Sequence, residues 1–197
     1  MRGRIIFLLE ERSTEELLNT WLPRLFQGWE PKQHFLCIPH EGNRDLDLSI
    51  PRTLGSWNAP EDRFIIVRDN DSKNCSELKK NLQKLCRRGH KPNTLVRLIC
   101  QELESWYLGD LAALSKALGS SKIDTERNRK RYTDPDLFEK PSKEVEKLLK
   151  KKLIKRQVAR LMGQHLTPET NRSHSLKVFV EGVRQIARSM GYSEGGA

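Results

Sequence analysis

No stretch of this 197-residue chain approaches the roughly 20 consecutive apolar residues that a membrane helix requires. The N-terminal MRGRIIFLLEERST has the basic start of a signal peptide, but its apolar run is only Ile5 to Leu9 and acids follow at once. A signal core needs about 7–15 apolar residues. The run reads instead as a first strand, and the chain as a soluble, cytoplasmic protein. Cysteine is sparse: Cys37, Cys75, Cys86 and Cys100, with no pair spaced C-x-x-C. That excludes a zinc knuckle and a dithiol redox motif. Cys37 and Cys100 fall in apolar runs, where a reduced thiol behaves as a small hydrophobe. Also absent are the Walker A glycine loop, the Rossmann glycine fingerprint, the nucleophile-elbow serine and H-E-x-x-H. Any ATP chemistry therefore has to come from another protein.

Charge is plentiful. Charged residues make up 31% of the chain and hydrophobic ones 36%, enough for a core beneath a heavily charged surface. The formal net charge is +10 and the pI about 9.6. Such a balance favours a polyanion or an acidic partner surface, although a basic run is by default a solvated face.

Strand-like and helix-like stretches alternate. RIIFLL (Arg4–Leu9), QHFLCIP, RFIIV and TLVRLIC read as four strands. After the first, Ser13 and Glu16 have capping-box spacing, and Leu17, Leu18, Trp21, Leu22 and Leu25 follow at helical intervals. Pro23 is expected to kink or shorten that helix. HEGNRDLDLSIPRTLGSW reads as a loop with a short helix interrupted near Pro51. CSELKKNLQKLCRRGH is amphipathic and ends in basic residues and Gly89, and ELESWYLGDLAALSKALG forms one or two helices. This order predicts an α/β fold with a mostly parallel sheet of about four strands over residues 1–119. Residues 120–141 are polar and rich in turn formers, and read as a loop or insertion. Residues 142–191 form a helical C-terminal extension (SKEVEKLLKKKLI, KRQVARLMGQHL, SHSLKVFVEGVRQIARSM), whose last helix packs on the core. The tail GYSEGGA should be mobile.

Functional residues of a parallel α/β sheet gather beyond the carboxyl ends of its strands, and acids stand there. Glu10 and Glu11 follow strand one, Asp69-x-Asp71 follows strand three, and Glu102-x-Glu104 follows strand four. Alternating positions on an extended segment point the same way, so Asp69 and Asp71 are expected to converge. Magnesium takes hard oxygen ligands, commonly one or two carboxylates. Without a cation, crowded carboxylates repel one another and their pKa values rise. A basic chain that collects its acids in one place therefore suggests Mg²⁺ or Mn²⁺. The plainer alternative is helix capping, by Asp71 or Asn74 for the helix near Cys75.

The order of these acids resembles the Toprim domain shared by topoisomerases, primases and OLD-type nucleases. The segments FLLEERS, FLCIPHEGNRDL, SIPRTLGSW, VRDNDSKNC, QELESWYLGDLAAL and ETNRSHSLKVFVEGVR are more closely similar to a bacterial domain-of-unknown-function family with a Toprim-like core, related to OLD-type nucleases. The resemblance covers most of the chain in order. It implies a Toprim-like fold and Mg²⁺- or Mn²⁺-dependent cleavage of DNA or RNA. It also implies an ABC-like ATPase partner, plausibly in phage defence. The implied catalytic set is Glu10, Glu11, Asp69, Asp71, Glu102 and Glu104, with Glu11, Asp69, Asp71 and Glu104 holding the metal. Toprim domains usually carry Glu-Gly at the first site. Here Glu11 replaces the glycine, so either Glu10 or Glu11 fills the acid-base role, and the ERSTEE context favours Glu11. A non-catalytic nucleic-acid- or partner-binding subunit is the alternative, since fold alone does not fix function.

Candidate phosphate contacts are His40 in a loop that could overhang the site, Arg68 and Lys73 flanking D-x-D, and Arg172 beside a helix start. Arg68 and Lys73 could equally pair with neighbouring acids, and His40 could simply be solvated. The segment EKLLKKKLIKRQVAR is the strongest basic stripe, and Lys151, Lys155 and Arg156 within it are candidate nucleic-acid contacts. Trp106 and Tyr107 could stack on a base, but aromatic residues at a helix start are more often core.

Overall fold

The computed structural model describes residues 3–192. Four strands, β1 (Ile5–Leu9), β2 (Phe35–Pro39), β3 (Arg63–Asp69) and β4 (Leu95–Ile99), form one sheet in the order β2-β1-β3-β4. Every pairing is parallel, with Leu9 opposite Pro39 and Val67, and Asp69 opposite Ile99. The carboxyl ends of all four strands therefore share one edge.

β1 is buried at all five positions, as expected for a central parallel strand covered on both faces. Ile5, Phe7, Leu9, Ile65 and Val67 face a core shared with α1 (Arg12–Leu25), α8 (Lys155–Gly163) and α9 (His174–Ser189). Ile6, Leu8, Phe64, Ile66 and Val96 face a second core closed by α2 (Asn43–Ser56) and α3 (Cys75–Arg88). The C-terminal helices thus belong to the larger core. α1 and α8 approach closely at Gly163, where a Cβ would stand 2.7 Å from Thr20 Cβ.

Several expectations need correction. α2 is a continuous 14-residue helix that contains Pro51. Pro costs about 3 kcal/mol in a helix interior, but Leu46, Ile50 and Leu54 lie on one fully packed face that outweighs it. α1 likewise continues past Pro23 to Leu25. The capping box does not form: Ser13 Oγ donates to the Glu11 carboxylate, and Glu16 is taken by Arg156 and Arg160. Residues 120–141 are not irregular throughout, since they hold α6 (Glu126–Arg131) and a 3-10 turn (Pro135–Leu137). Thr125 caps α6 by accepting from the Asn128 N–H. α7 (Pro141–Leu149) stops before the lysine run, with Lys150 in the left-handed region at φ 54°, so Lys151 lies in a linker. The stretch after β4 divides into α4 (Glu104–Leu108) and α5 (Leu111–Leu118). Of the tail expected to be mobile, residues 193–197 lie outside the described residues, whereas Tyr192 packs against Trp29 and donates to the Gly3 carbonyl. Among the described residues no helix is long and apolar enough to cross a membrane.

Candidate metal centre

β1 delivers Glu10 at its end, and the Glu10 carboxylate accepts the Asp69 backbone N–H at 3.1 Å, tying the first acid to the third strand. Asp69 is the last residue of β3 and is 9% exposed. Extended alternation does not carry on to Asp71. Asp71 and Ser72 both have positive φ, 47° and 62°, so the chain turns back directly after Asn70. The turn is pinned from the β4 side. Asn70 Oδ1 accepts the Gln101 N–H, and Gln101 Oε1 accepts from the Ser72 N–H and hydroxyl. The Asp71 charge bears on Glu10 and, least among the causes, on Asp69, and raises both of their carboxyl pKa values. Asn74, not Asp71, caps α3.

The two acids after β4 have different environments. Glu102 is on the surface side, where its carboxylate accepts the Ser142 N–H in the first turn of α7 at 2.7 Å. Glu104 is 1% exposed, and its Oε2 has no hydrogen-bond partner among the described residues. Burial pushes its carboxyl up to about 7. Lys155 opposes the rise, and Glu102 and Glu11 add to it. Glu10 is also pushed up to about 7, by burial and Asp71 against the pull of Arg68. Asp69 is raised well above the ordinary range by burial, then by Glu10, Glu104, Glu11 and Asp71. One field therefore couples the acids of β1, β3 and α4.

Lys155 enters this field from α8, with Nζ 3.2 Å from both Glu11 oxygens. Burial alone would depress its pKa, but Glu104 and Glu11 override that and hold the ammonium charged. The sequence offers Tyr107 for base stacking or for the core, and assigns its hydroxyl no role. The side chain is fully buried in the larger hydrophobic core, yet its hydroxyl has no hydrogen-bond partner among the described residues. Burial, then Glu104, Asp69 and Glu11, pushes the phenol pKa far up. Its position three residues after Glu104 puts both on one helix face, which is the signal that could have found it. Asn70 and Gln101, which hold the D-x-D turn, had no comparable signal.

The other candidates are disposed differently. His40 is buried rather than overhanging, with Nδ1 2.8 Å from the Leu9 carbonyl. Arg68 is 4% exposed and pairs with Asp47 and, at 3.8 Å, with Glu10. It therefore serves the neighbouring acids instead of an external phosphate. Lys73 and Lys151 are exposed. Arg156 joins Arg160 on Glu16, and their hydrogen bonds outweigh burial to lower that carboxyl's pKa. Arg172 lies beside α6, where it donates to the Arg129 carbonyl.

Hard carboxylate oxygens, an orphaned buried Glu104 oxygen and charge that burial disfavours all suit a divalent cation. Among the described residues no three His, Cys, Asp or Glu side chains stand close enough to enclose an ion. Binding would require these carboxylates to draw together.

The fold is shared with solved structures. The C-terminal region of the Xanthomonas campestris pv. campestris OLD protein, phased with iodine, superposes with a TM-score of 0.56 at 11% identity, covering 96% of this chain and 98% of that one. The same region phased with mercury gives 0.52 at 12% identity, covering 95% and 98%. The α/β, Toprim-like architecture expected from the order of the acids is thus present over nearly the full length. No curated protein matches the chain at a significant level. The family model described as Domain of unknown function (DUF4276) matches residues 9–184, from the end of β1 to within α9, and the chain belongs to that family.

Proposed function

We propose that the protein is a divalent-metal-dependent nuclease that hydrolyses phosphodiesters of DNA or RNA at the carboxyl edge of its sheet. The observation that carries this is the set of buried, mutually repelling acids from three strand ends, Glu10, Asp69 and Glu104, in a chain of net charge +10. Natural folding rarely leaves such charge uncompensated unless a ligand supplies the counter-charge.

Asp69, Asp71, Glu104 and one of Glu10 and Glu11 would hold Mg²⁺ or Mn²⁺. Glu104 is preferred over Glu102 because Glu102 already caps α7. A bound divalent ion lowers the charge repulsion between an attacking water and the phosphate and stabilises the leaving oxygen. The chain's own residues supply the rest. Glu10, with a carboxyl near 7 in the metal-free protein, is suited to accept a proton from the attacking water at neutral pH. Lys155 is kept cationic beside Glu11 and is placed to neutralise a phosphate oxygen. The Glu11–Lys155 contact supports Glu11 as an electrostatic anchor and leaves proton handling to Glu10. The sequence context had favoured Glu11 for that task. An ABC-type ATPase partner in a phage-defence setting is part of the same reading, supported by the likeness to the C-terminal region of the OLD protein.

The test is cleavage of plasmid, single-stranded DNA and tRNA with Mg²⁺ or Mn²⁺. Wild type should cut at least one of them, and Asp69→Asn and Asp71→Asn should cut none. Retained cleavage in either variant would remove the site assignment. The exposed lysines Lys150, Lys151 and Lys152 in the linker before α8 favour a second reading, a non-catalytic binding subunit. That reading requires no metal binding by calorimetry, and partner binding lost on charge reversal around Lys150–Arg156.

A further inference from the structure

Five of the nine cations on residues 139–160 are committed to intramolecular pairs, and Lys150, Lys151 and Lys152 stay exposed in the linker before α8. Lys143 bonds Glu146, Lys147 bonds Glu144, Lys155 bonds Glu11, and Arg156 and Arg160 bond Glu16. A different basic surface is left. A cavity of about 490 Å³ lies between α6 and the start of α9, and four cations line it: Arg129, Lys130, Arg172 and Lys177. Glu126 is its one lining carboxylate. An adjoining cavity of about 300 Å³ shares Arg129 and Arg172, so the two form one trough that runs toward Gly109.

Asp124 holds the Arg129 guanidinium through two bonds of 2.6 and 2.7 Å, which fixes its orientation. Glu126 contacts Lys130 only in an exposed pair, the kind that contributes little. Lys177 has no ion-pair partner among the described residues. The trough stays net positive after its three acids, Asp110, Asp124 and Glu126, are set against its four cations.

Its position links it to the acid edge. The Arg172 N–H donates to the Gly109 carbonyl, and Asn171 donates to the Trp106 carbonyl. Gly109 follows Glu104 by one five-residue helix, about 7.5 Å along the axis. The trough therefore adjoins the far end of α4, the helix that begins at Glu104.

We propose that this α6–α9 trough binds the sugar-phosphate backbone of the nucleic acid on one side of the reacting phosphate. The inference rests on the nuclease reading for its substrate class. Donors suit phosphodiester oxygens, which only accept hydrogen bonds. An acidic peptide would also bring backbone N–H groups, but the trough's acids are already engaged: Asp124 on Arg129, Asp110 on the Ala113 and Thr167 N–H groups, and Glu126 in an exposed pair with Lys130. No aromatic side chain lines the trough, so contact is with backbone and independent of base sequence.

The test is fluorescence anisotropy of a labelled single-stranded oligonucleotide over a salt series in EDTA, where cleavage is stopped. Lys130→Glu with Lys177→Glu changes only exposed side chains, and circular dichroism checks that the fold is kept. The double variant should weaken binding and make the slope of log K against log salt shallower by about two, roughly one per lysine. Lys151→Glu with Lys152→Glu, in the linker before α8, should leave the slope near that of wild type. Four results overturn the proposal: no binding by wild type, an unchanged slope in the trough variant, a larger effect from the linker variant, or equal competition by polyglutamate, which would make the occupant an acidic protein. Trough-dependent binding by a protein that cleaves nothing would sink the nuclease reading and leave the trough standing. Cleavage with trough-independent binding would do the reverse.

Discussion

Glu104→Gln replaces a buried carboxyl by its neutral isostere at the point where charge is least tolerated. Glu104 is 1% exposed, and burial, with Lys155 opposing and Glu102 and Glu11 adding, takes its carboxyl from an ordinary 4.5 to about 7. That difference corresponds to about 3 kcal/mol, an upper figure because the group is coupled to Lys155 and its acidic neighbours. For the sign, both folded and unfolded chains hold the proton below pH 4.5, and the carboxyl costs nothing there. Between 4.5 and 7 the unfolded chain ionises first, so the folded state loses stability; above 7 the full cost is present. In EDTA near pH 8 the glutamine variant should therefore be more stable by up to about 3 kcal/mol, roughly 6–12 °C in Tm for a chain of this size. The advantage should vanish as the pH falls toward 4.5. With Mn²⁺ the order should reverse, because wild type gains the binding free energy and the variant loses a ligand. Differential scanning calorimetry across pH, with and without metal, reads all three effects. A variant less stable than wild type in EDTA at pH 8, or an advantage that persists in acid, would refute burial as the cause.

Tyr107→Phe removes a buried hydroxyl that has no partner among the described residues, so stability without metal should hold or rise by about 1 kcal/mol. The stabilisation conferred by Mn²⁺ with a phosphodiester analogue should fall if the hydroxyl donates to the occupied site. A metal-free loss of more than about 1 kcal/mol would mean the hydroxyl already has a partner. Asn70→Ala strands the Gln101 N–H and frees the D-x-D turn from the end of β4. It should cost about 1–3 kcal/mol in urea unfolding and abolish cleavage. An unchanged urea midpoint would show that the turn is held by other contacts.

Much of the architecture was legible before any coordinates. Uninterrupted apolar runs such as Ile5–Leu9 and Phe64–Val67 can be buried on both faces only in a parallel sheet, and acids placed directly after them must fall at its carboxyl edge. The four strands and the α/β class follow from that local pattern. Local signals failed where a distant contact outweighed them. Pro51 sits inside a helix because Leu46, Ile50 and Leu54 pack on the sheet. Glu16 leaves its capping-box role because two arginines some 140 residues later reach it.

The choice within each acid pair was of the same kind. Spacing treats Glu102 and Glu104 alike. Only the packing of α7 against the strand-four loop turned one into a helix cap and left the other buried without a partner. The basic stripe read from residues 139–160 was likewise reduced by pairing at five of its nine cations, while the trough was assembled from α6 and α9, segments that chain order separates. Sequence alone determined which residue types reach the carboxyl edge, because strand register carries them there. Tertiary structure decided which of them remain charged, buried and unpaired, because those properties depend on neighbours that sequence distance does not reveal.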